Sequence, residues 1–254
     1  TYTLPQAKEI SPYRYVGVNF NSQGNPNLKP SDNYNLDLKW DFNPTPTELI
    51  SLTAFYKLIK NPISRIEVAS AGGYLSYENI ADKATVAGVE IEIRKNLFVR
   101  PVSNAAHGMN KLSLGLNGSY IYTNAKMPLA TVTTGSQLEG AAPWIVNFDL
   151  SHNFTKGERS FVNTLVLNYV SDKIYTIGTQ GYQDMMEQGV LTLDFVSQAK
   201  LNKHLSLNLK ARNLLNPSYK LSRKANENGE KVILNDYKKG INISLGVSCT
   251  FQAG

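Results

Sequence analysis

Apolar and polar residues alternate strictly along residues 240–251, near the end of the chain. The polar or small positions fall between six apolar ones: Ile241, Ile243, Leu245, Val247, Cys249 and Phe251. A period of two indicates an extended strand with one apolar and one polar face. A strand of about ten residues with this pattern is typical of a transmembrane β-barrel.

Eight earlier segments show the same alternation. In residues 33–42, for example, Tyr34, Leu36 and Leu38 share one face with Trp40 and Phe42. The other segments begin near residues 48, 84, 112, 144, 161, 191 and 205, and the one at 161–175 is the least regular. We interpret residues 1–32 as an outer loop preceded by the end of a strand. The pattern therefore predicts an all-β fold, a transmembrane antiparallel β-barrel with about nine complete strands.

The predicted connections fall into two length classes. Residues 43–47, 155–160 and 202–204 are short, whereas the longer connections cover residues 58–83, 123–143, 178–189 and 213–236. The connection at 98–111 is an exception of intermediate length. Short periplasmic turns and long irregular outer loops are the outer-membrane pattern, whereas a soluble domain rarely has several structureless loops of this length.

The strand count is odd, although bacterial single-chain barrels have an even number of strands. An open sheet would leave backbone groups without partners in hydrocarbon. We therefore expect residues 1–254 to be the C-terminal part of a larger barrel.

Composition narrows the function classes. No apolar run approaches the roughly 18 to 20 residues of a membrane helix. The net charge of +6 comes from scattered Lys and Arg residues, with no basic-aromatic motif, so we predict no nucleic-acid partner.

Cys249 is the single cysteine and is interpreted as a small apolar residue. His107, His152 and His204 are far apart, and we find no catalytic, metal or phosphate-loop pattern.

Several motifs resemble, in order, segments of TonB-dependent outer-membrane receptors of the Bacteroidetes type. They are GNPNLKP at 24–30, AFYK at 54–57, IKNPI at 59–63, YEN at 77–79, GVEIE at 88–92, APWIVN at 142–147, ARNLLNP at 211–217 and the terminal strand. The resemblance implies a 22-stranded barrel in the outer membrane of a Gram-negative bacterium. A plug domain, a TonB-contacting segment and the preceding strands would lie upstream, and a surface lipoprotein lid is a further possible partner besides TonB and outer-membrane lipid.

The implied function is TonB-dependent import of a scarce or bulky nutrient such as a ferric siderophore, haem, cobalamin, a glycan or a peptide. No enzyme activity and no cofactor are implied. The alternative is a related barrel that has lost transport and serves as a scaffold or assembly subunit of an outer-membrane complex.

Three groups of candidate residues follow. Outer-loop candidates for ligand contact combine aromatic and polar groups: Tyr74, Tyr77, Asn79, Tyr182, Asp184 and Glu187. The polar strand faces predict a lumen lined by Asp37, Lys39, Glu90, Glu92, Arg94, Asn147, Asp149, Asp194, Lys210 and Arg212. Ser244, Gly246, Cys249 and Phe251 fit the C-terminal barrel-assembly signal. Glu90 and Glu92 face the same way and allow a carboxylate pair for acid–base work, but Arg94 continues the row and favours a ladder of charges.

Overall fold

The computed structural model describes residues 1–70, 73–102, 108–127, 137–225 and 229–251. Its helix, α1 (Ala7–Ile10), has four residues. The strands are β1 (Tyr2–Thr3), β2 (Arg14–Tyr15), β3 (Ser22–Gln23), β4 (Ser31–Phe42), β5 (Leu49–Lys60), β6 (Ile63–Val68), β7 (Tyr74–Asn79), β8 (Lys83–Pro101), β9 (Met109–Ala125), β10 (Trp144–Lys156), β11 (Arg159–Val170), β12 (Lys173–Thr176), β13 (Met185–Glu187), β14 (Val190–Lys200), β15 (Leu205–Arg212), β16 (Ser218–Lys224), β17 (Lys231–Lys238) and β18 (Asn242–Cys249). In these described ranges no helix is long and apolar enough to cross a membrane.

The largest element is a ten-stranded antiparallel sheet, here called the wall sheet, in the order β1-β4-β5-β8-β9-β10-β11-β14-β15-β18. Nine of its strands coincide with the nine predicted ones. The tenth, β1, pairs with the start of β4 and is the expected strand end ahead of the first loop. The predicted fold class is confirmed as antiparallel all-β, and the wall sheet remains open between β1 and β18.

One face of the wall sheet is apolar and exposed. Leu36, Leu38 and Leu245 are 71%, 74% and 73% exposed, although large exposed apolar surfaces are rare on water-soluble monomers. Aromatic side chains stand near both ends of the strands on this face. Trp40 stacks on Phe42 at a ring distance of 6.1 Å, and Tyr120 contacts Trp144 at 4.6 Å. The face has the apolar band and aromatic girdles of a lipid-facing barrel wall.

The opposite face carries polar residues that the strand register aligns into a row. The pairing places these residues side by side: Asp41, Ser51, Glu92, Asn117, Asn147, Asn168 and Thr192. Within this row, the Asn147 amide nitrogen donates to the Asn117 side-chain oxygen at 3.4 Å. Alternation along each strand thus builds a polar face across seven strands.

Strand β8 differs from its prediction. It continues past Leu97 to Pro101, and β9 begins at Met109. The predicted connection 98–111 is therefore too long. The register shifts between Asn96 and Phe98, and this bulge inserts one residue that reverses the alternation. The alternation that defined the predicted strand ends where its phase changes.

The prediction of irregular long loops is wrong where three of these connections form strands, and residues 128–136 of the connection 123–143 lie outside the described residues. Residues 58–83 contain the β6–β7 hairpin, residues 178–189 contain β13, and residues 213–236 contain β16 and most of β17. These strands form two small sheets. The N-terminal loop sheet has the order β2-β3-β7-β6, and the C-terminal loop sheet has the order β12-β13-β16-β17.

The C-terminal loop sheet repeats the strand order of the wall. Along the chain β12 follows β11, β13 precedes β14, β16 follows β15 and β17 precedes β18. The wall strands β11, β14, β15 and β18 are neighbours in that same order. The predicted sixth strand, 161–175, accordingly divides into β11 and β12 around Ser171.

Left-handed backbone conformations mark the joints between wall and loop sheets. Asn61 follows β5 with a φ of 49°, while Asn213 and Asn216 follow β15 with φ values of 58° and 43°. Gly240, with a φ of 81°, precedes β18. Asn and Gly tolerate this conformation better than other residues. The side-chain amide of Asn213 donates to the Gly240 carbonyl at 2.7 Å, and the Gly240 amide donates to the Asn216 side-chain oxygen at 3.1 Å.

Among the described residues, the buried apolar core lies at the loop end and includes wall-strand residues only at the ends of β8 and β9. Ile66 of the N-terminal loop sheet packs with Ile174 and Ile177 of the segment that follows β11. Ala84 and Ala125, at the tops of β8 and β9, complete the cluster with Ile80, Ala81 and Leu138. The loop sheets are thus anchored to each other and to the wall strands beneath them.

Candidate functional site

The two loop sheets are joined by backbone and charged contacts. Ile66 and Ile177 form a parallel bridge, in which the Glu67 amide donates to the Ile177 carbonyl at 3.2 Å. The Glu67 carboxylate forms an ion pair with Arg223, and both side chains are largely buried. These contacts fix the position of one loop sheet relative to the other.

Arg65 organises the other side of this junction. Its guanidinium lies 4.4 Å from the Tyr175 ring centroid and 3.1 Å from the Glu139 carboxylate. The Arg65 backbone amide also donates to Glu139 at 2.6 Å. Burial raises the pKa of Glu139, and the contacts with Arg65 oppose that rise. A cation held over an aromatic face in a partly buried site is a strong positioning contact.

Three adjoining clefts at the loop end, the last of which reaches the wall, form what we call the loop groove. The first cleft, of about 480 Å³, is lined by Lys8, Val18, Asn19, Phe20, Ser22, Arg65, Leu75, Tyr77 and Tyr175. The second, of about 160 Å³, shares Asn19, Phe20 and Tyr175 with it and adds Glu187, Tyr219, Lys220, Leu221, Asn235 and Tyr237. The third, of about 260 Å³, shares Glu187 and Tyr219 with the second and reaches the wall residues Asn168, Val170, Val190 and Thr192.

The groove therefore connects the loop sheets with the polar face of the wall. Asn168 and Thr192 belong to the polar row described above. The combination of aromatic walls, a few polar groups and a concave shape is that of a small-molecule binding site.

The predicted ligand residues of the N-terminal loop sheet have structural contacts. Tyr77 lines the groove but is 9% exposed. Asn79 accepts the Lys29 amide at 2.8 Å and donates to the carbonyls of Lys29 and Asn61 at 3.0 and 2.9 Å. Tyr74 lies under the Arg14 guanidinium at 5.4 Å. Ligand contact by these three residues remains a prediction, and Asn79 has the clearest alternative role as a backbone clamp.

The predicted ligand residues of the C-terminal loop sheet are divided between two places. Tyr182, 40% exposed, lies 5.2 Å from the Arg223 guanidinium, and the Asp184 carboxylate accepts the Gly178 amide at 2.7 Å. Glu187 lines the groove and pairs with Lys173 at 3.3 Å. The structure thus brings Tyr77 and Glu187 to the groove, and their contact with a ligand remains a prediction.

The GNPNLKP motif at 24–30 has a structural explanation. The Asn25 side chain donates to the Tyr77 carbonyl at 3.0 Å and accepts the Asn27 amide at 3.0 Å. A Cβ on Gly24 would approach the carbonyl oxygens of Lys8, Glu9 and Ser11 to 2.6–2.7 Å. Glycine is required because the segment packs backbone to backbone against α1.

The predicted lumen residues lie on the polar face of the wall, including Glu90, Asn147 and Lys210 in the strand register. Arg94 pairs with Glu92 at 2.6 Å, which fits a ladder of charges. The Asp149 carboxylate lies over Gly115, where a Cβ would collide with it. The Asp194 carboxylate accepts the Asn213 amide at 2.8 Å, and Arg212 lies opposite Asn242. That this face encloses a lumen remains a prediction.

The assembly-signal residues occupy the open-edge strand β18 and the residue two positions after it. Ser244 and Gly246 share the polar face, Cys249 lies opposite Leu205 on the apolar face, and Phe251 is 90% exposed. Recognition by assembly machinery remains a prediction for these residues.

The histidines have separate environments. His152 shares a hydrogen bond with the Asn110 side chain at 2.8 Å and His204 shares one with the Thr250 carbonyl at 2.9 Å, while His107 lies outside the described residues. The part of the chain that the structure describes contains no cluster of three or more His, Cys, Asp or Glu side chains suited to a metal ion.

Sequence reasoning missed most of the groove residues. Phe20, Tyr175, Tyr219 and Tyr237 come from four separate segments, and the only signal was a short alternation in β16, within a stretch interpreted as irregular.

Residues 1–214 match the family model described as TonB dependent receptor-like, beta-barrel. No curated protein matches the chain.

Proposed function

The chain belongs to the TonB-dependent receptor β-barrel family, and from this we propose that it forms part of an importer of a scarce or bulky nutrient such as a ferric siderophore, haem, a glycan or a peptide. TonB-dependent transport across the outer membrane is the general activity of the family. The observation that carries the proposal is the family match over residues 1–214.

The wall sheet supplies the membrane part of this function. Its exposed apolar face, with Leu38 74% and Leu245 73% exposed, contacts outer-membrane lipid, and its polar face lines the transport path with a plug domain of the same protein. The short turns lie in the periplasm and the two loop sheets lie outside the cell. In this arrangement residues 1–254 form the C-terminal part of the barrel.

The loop groove is the outer binding surface in this proposal. It lies between the loop sheets and ends on Asn168 and Thr192 of the polar wall face, so a nutrient bound there is placed above the transport path. TonB would act on the plug from the periplasmic side and open that path. A surface lipoprotein would cover the groove from above.

Binding of TonB to the full-length receptor tests the proposal without knowledge of the nutrient. We expect saturable binding of the purified periplasmic domain of TonB to the detergent-solubilised receptor by calorimetric titration. Deletion of the N-terminal TonB-contacting segment should abolish this binding while the barrel stays folded. A full-length protein that never binds TonB would favour the alternative of a non-transporting scaffold or assembly subunit.

A further inference from the structure

The charges of the loop groove are incompletely compensated. Among its cations, Arg65 pairs with Glu139 at 3.1 Å and Lys173 with Glu187 at 3.3 Å. The Lys220 ammonium forms an ion pair with the Asp236 carboxylate at 3.7 Å. Lys8 and Lys239 also line the groove, and neither forms an ion pair with any residue in the described ranges. The groove therefore carries an excess of positive charge.

These two lysines line the two end clefts of the groove, and the charge of Lys8 also acts on the Glu139 carboxylate. Of the three clefts, Lys8 lines only the first, together with Arg65, and Lys239 lines only the third, together with Lys173. Both residues are exposed, so water and ligand can reach them. Lys239 is pre-positioned, because its Nζ lies 3.8 Å from the Tyr219 ring centroid. A ligand that spans the groove would meet a positive charge at each end.

The middle of the groove presents aromatic faces and neutral polar groups. Phe20 and Tyr175 lie 6.5 Å apart, while Tyr219 and Tyr237 stack at 5.5 Å with an angle of 20°. Asn235 lines the same cleft. The Tyr219 ring already contacts Tyr237 and the Lys239 ammonium, and the Arg65 guanidinium covers a face of Tyr175. Phe20 and Tyr237 are therefore the rings that can accept a flat apolar surface, and phenol and amide groups both donate and accept hydrogen bonds. A ring that carries several hydroxyl groups satisfies both features.

We propose that the loop groove binds an acidic oligosaccharide, whose sugar rings stack on Phe20 and Tyr237 and whose carboxylates meet Lys8 and Lys239. This inference rests on the proposed function and names the class of nutrient. Three clefts joined end to end suit an extended chain, whereas a compact chelate needs one chamber that surrounds it. An acidic peptide without aromatic residues would meet the lysines but would leave Phe20 and Tyr237 without a matching ring.

Calorimetric titration of the full-length receptor with an oligogalacturonide tests the proposal. A neutral maltooligosaccharide of the same length serves as the ligand control. We expect the acidic oligomer to bind more tightly, and added salt to weaken that binding because exposed charges are screened. Equal affinity of the two oligomers would overturn the proposal, as would binding of a ferric catecholate or an oligoglutamate in place of either sugar.

A matched pair of variants locates the charge contact. Lys239→Met should weaken oligogalacturonide binding about three- to tenfold, while Lys238→Met, at a neighbouring residue outside the groove lining, should leave it unchanged. Lys8→Met should reproduce the loss from the other end of the groove. Heat-modifiable gel mobility confirms that each variant is folded, and equal affinities for the Lys239 and Lys238 variants would contradict the assignment.

The TonB titration separates the two levels of proposal. A receptor that binds TonB but no acidic oligosaccharide would retain the importer function and exclude this class of nutrient. A receptor that binds the oligosaccharide but does not bind TonB would retain the groove assignment and exclude energised import.

Discussion

The lipid-facing assignment of β18 predicts a large cost for a charge at Leu245. The apolar alternation from Ile241 to Phe251 covers ten steps, and at about 3.3 Å per residue and a tilt of about 40° these span about 25 Å of membrane. Leu245 lies within about one residue of the midpoint, and its side chain is 73% exposed on the apolar face. Leu245→Arg should therefore destabilise the folded barrel by about 2–4 kcal/mol.

Two control substitutions separate the effect of the strand face from the effect of depth in the membrane. Ser244→Arg lies at almost the same depth on the polar face but opposite Lys210, so repulsion between the two charges should cost about 0.2–1 kcal/mol. Ile241→Arg is on the apolar face near one end of the span and should cost about 0–1 kcal/mol.

The measurement is folding of the full-length receptor into lipid vesicles over a denaturant series, with the folded fraction determined by heat-modifiable gel mobility. The expected order of destabilisation places Leu245→Arg first by a clear margin. Equal shifts for Leu245→Arg and Ser244→Arg would refute the assigned facing of β18. Equal shifts for Leu245→Arg and Ile241→Arg would refute the depth assigned from the alternation.

Three further predictions concern the loop end and are all measured by hydrogen exchange on the full-length receptor. Asn213→Ala should speed exchange in β16 and β17 more than Asn213→Gly, since both lose the hydrogen bond to Gly240 but only alanine is strained at a φ of 58°; equal effects would contradict a conformational role. Gly24→Ala should speed amide exchange in α1, because a Cβ there meets three carbonyl oxygens, whereas Gly157→Ala, in a turn with open space, should leave exchange in α1 unchanged. Because burial raises the pKa of Glu139, its contribution to the stability of the loop junction is present at low pH and lost as pH rises through that pKa; Glu139→Gln should remove this pH dependence, and an unchanged dependence would assign it to another group.

The wall sheet could be predicted because its residues alternate with a period of two. Each wall strand has one face toward lipid and one toward polar surroundings, so the environment itself imposes the pattern. The bulge at Asn96 shows the limit of this signal. A single inserted residue changes the phase, and the strand beyond it no longer matches the template although its pairing continues to Pro101.

The loop sheets could not be predicted in the same way because their environment is different. β6 and β7 alternate buried and half-buried residues, but each is only six residues long and follows a joint in the left-handed conformation. Asn61 and Asn213 are also ordinary turn signals. The sequence therefore indicated correctly that the wall strands ended there, and did not show that new strands began.

The groove depends on contacts between residues that are distant in sequence, which single-sequence patterns do not reveal. Arg223 and Glu67, which fix the two loop sheets together, are separated by 156 positions. The motif at 24–30 was noticed for its resemblance to a receptor family, yet its Asn25 side chain holds backbone segments together and its neighbour Phe20 lines the groove. Residues that were conspicuous in the sequence therefore build the frame of this site, while the aromatic and basic surface inside it is assembled from inconspicuous positions on four loop segments.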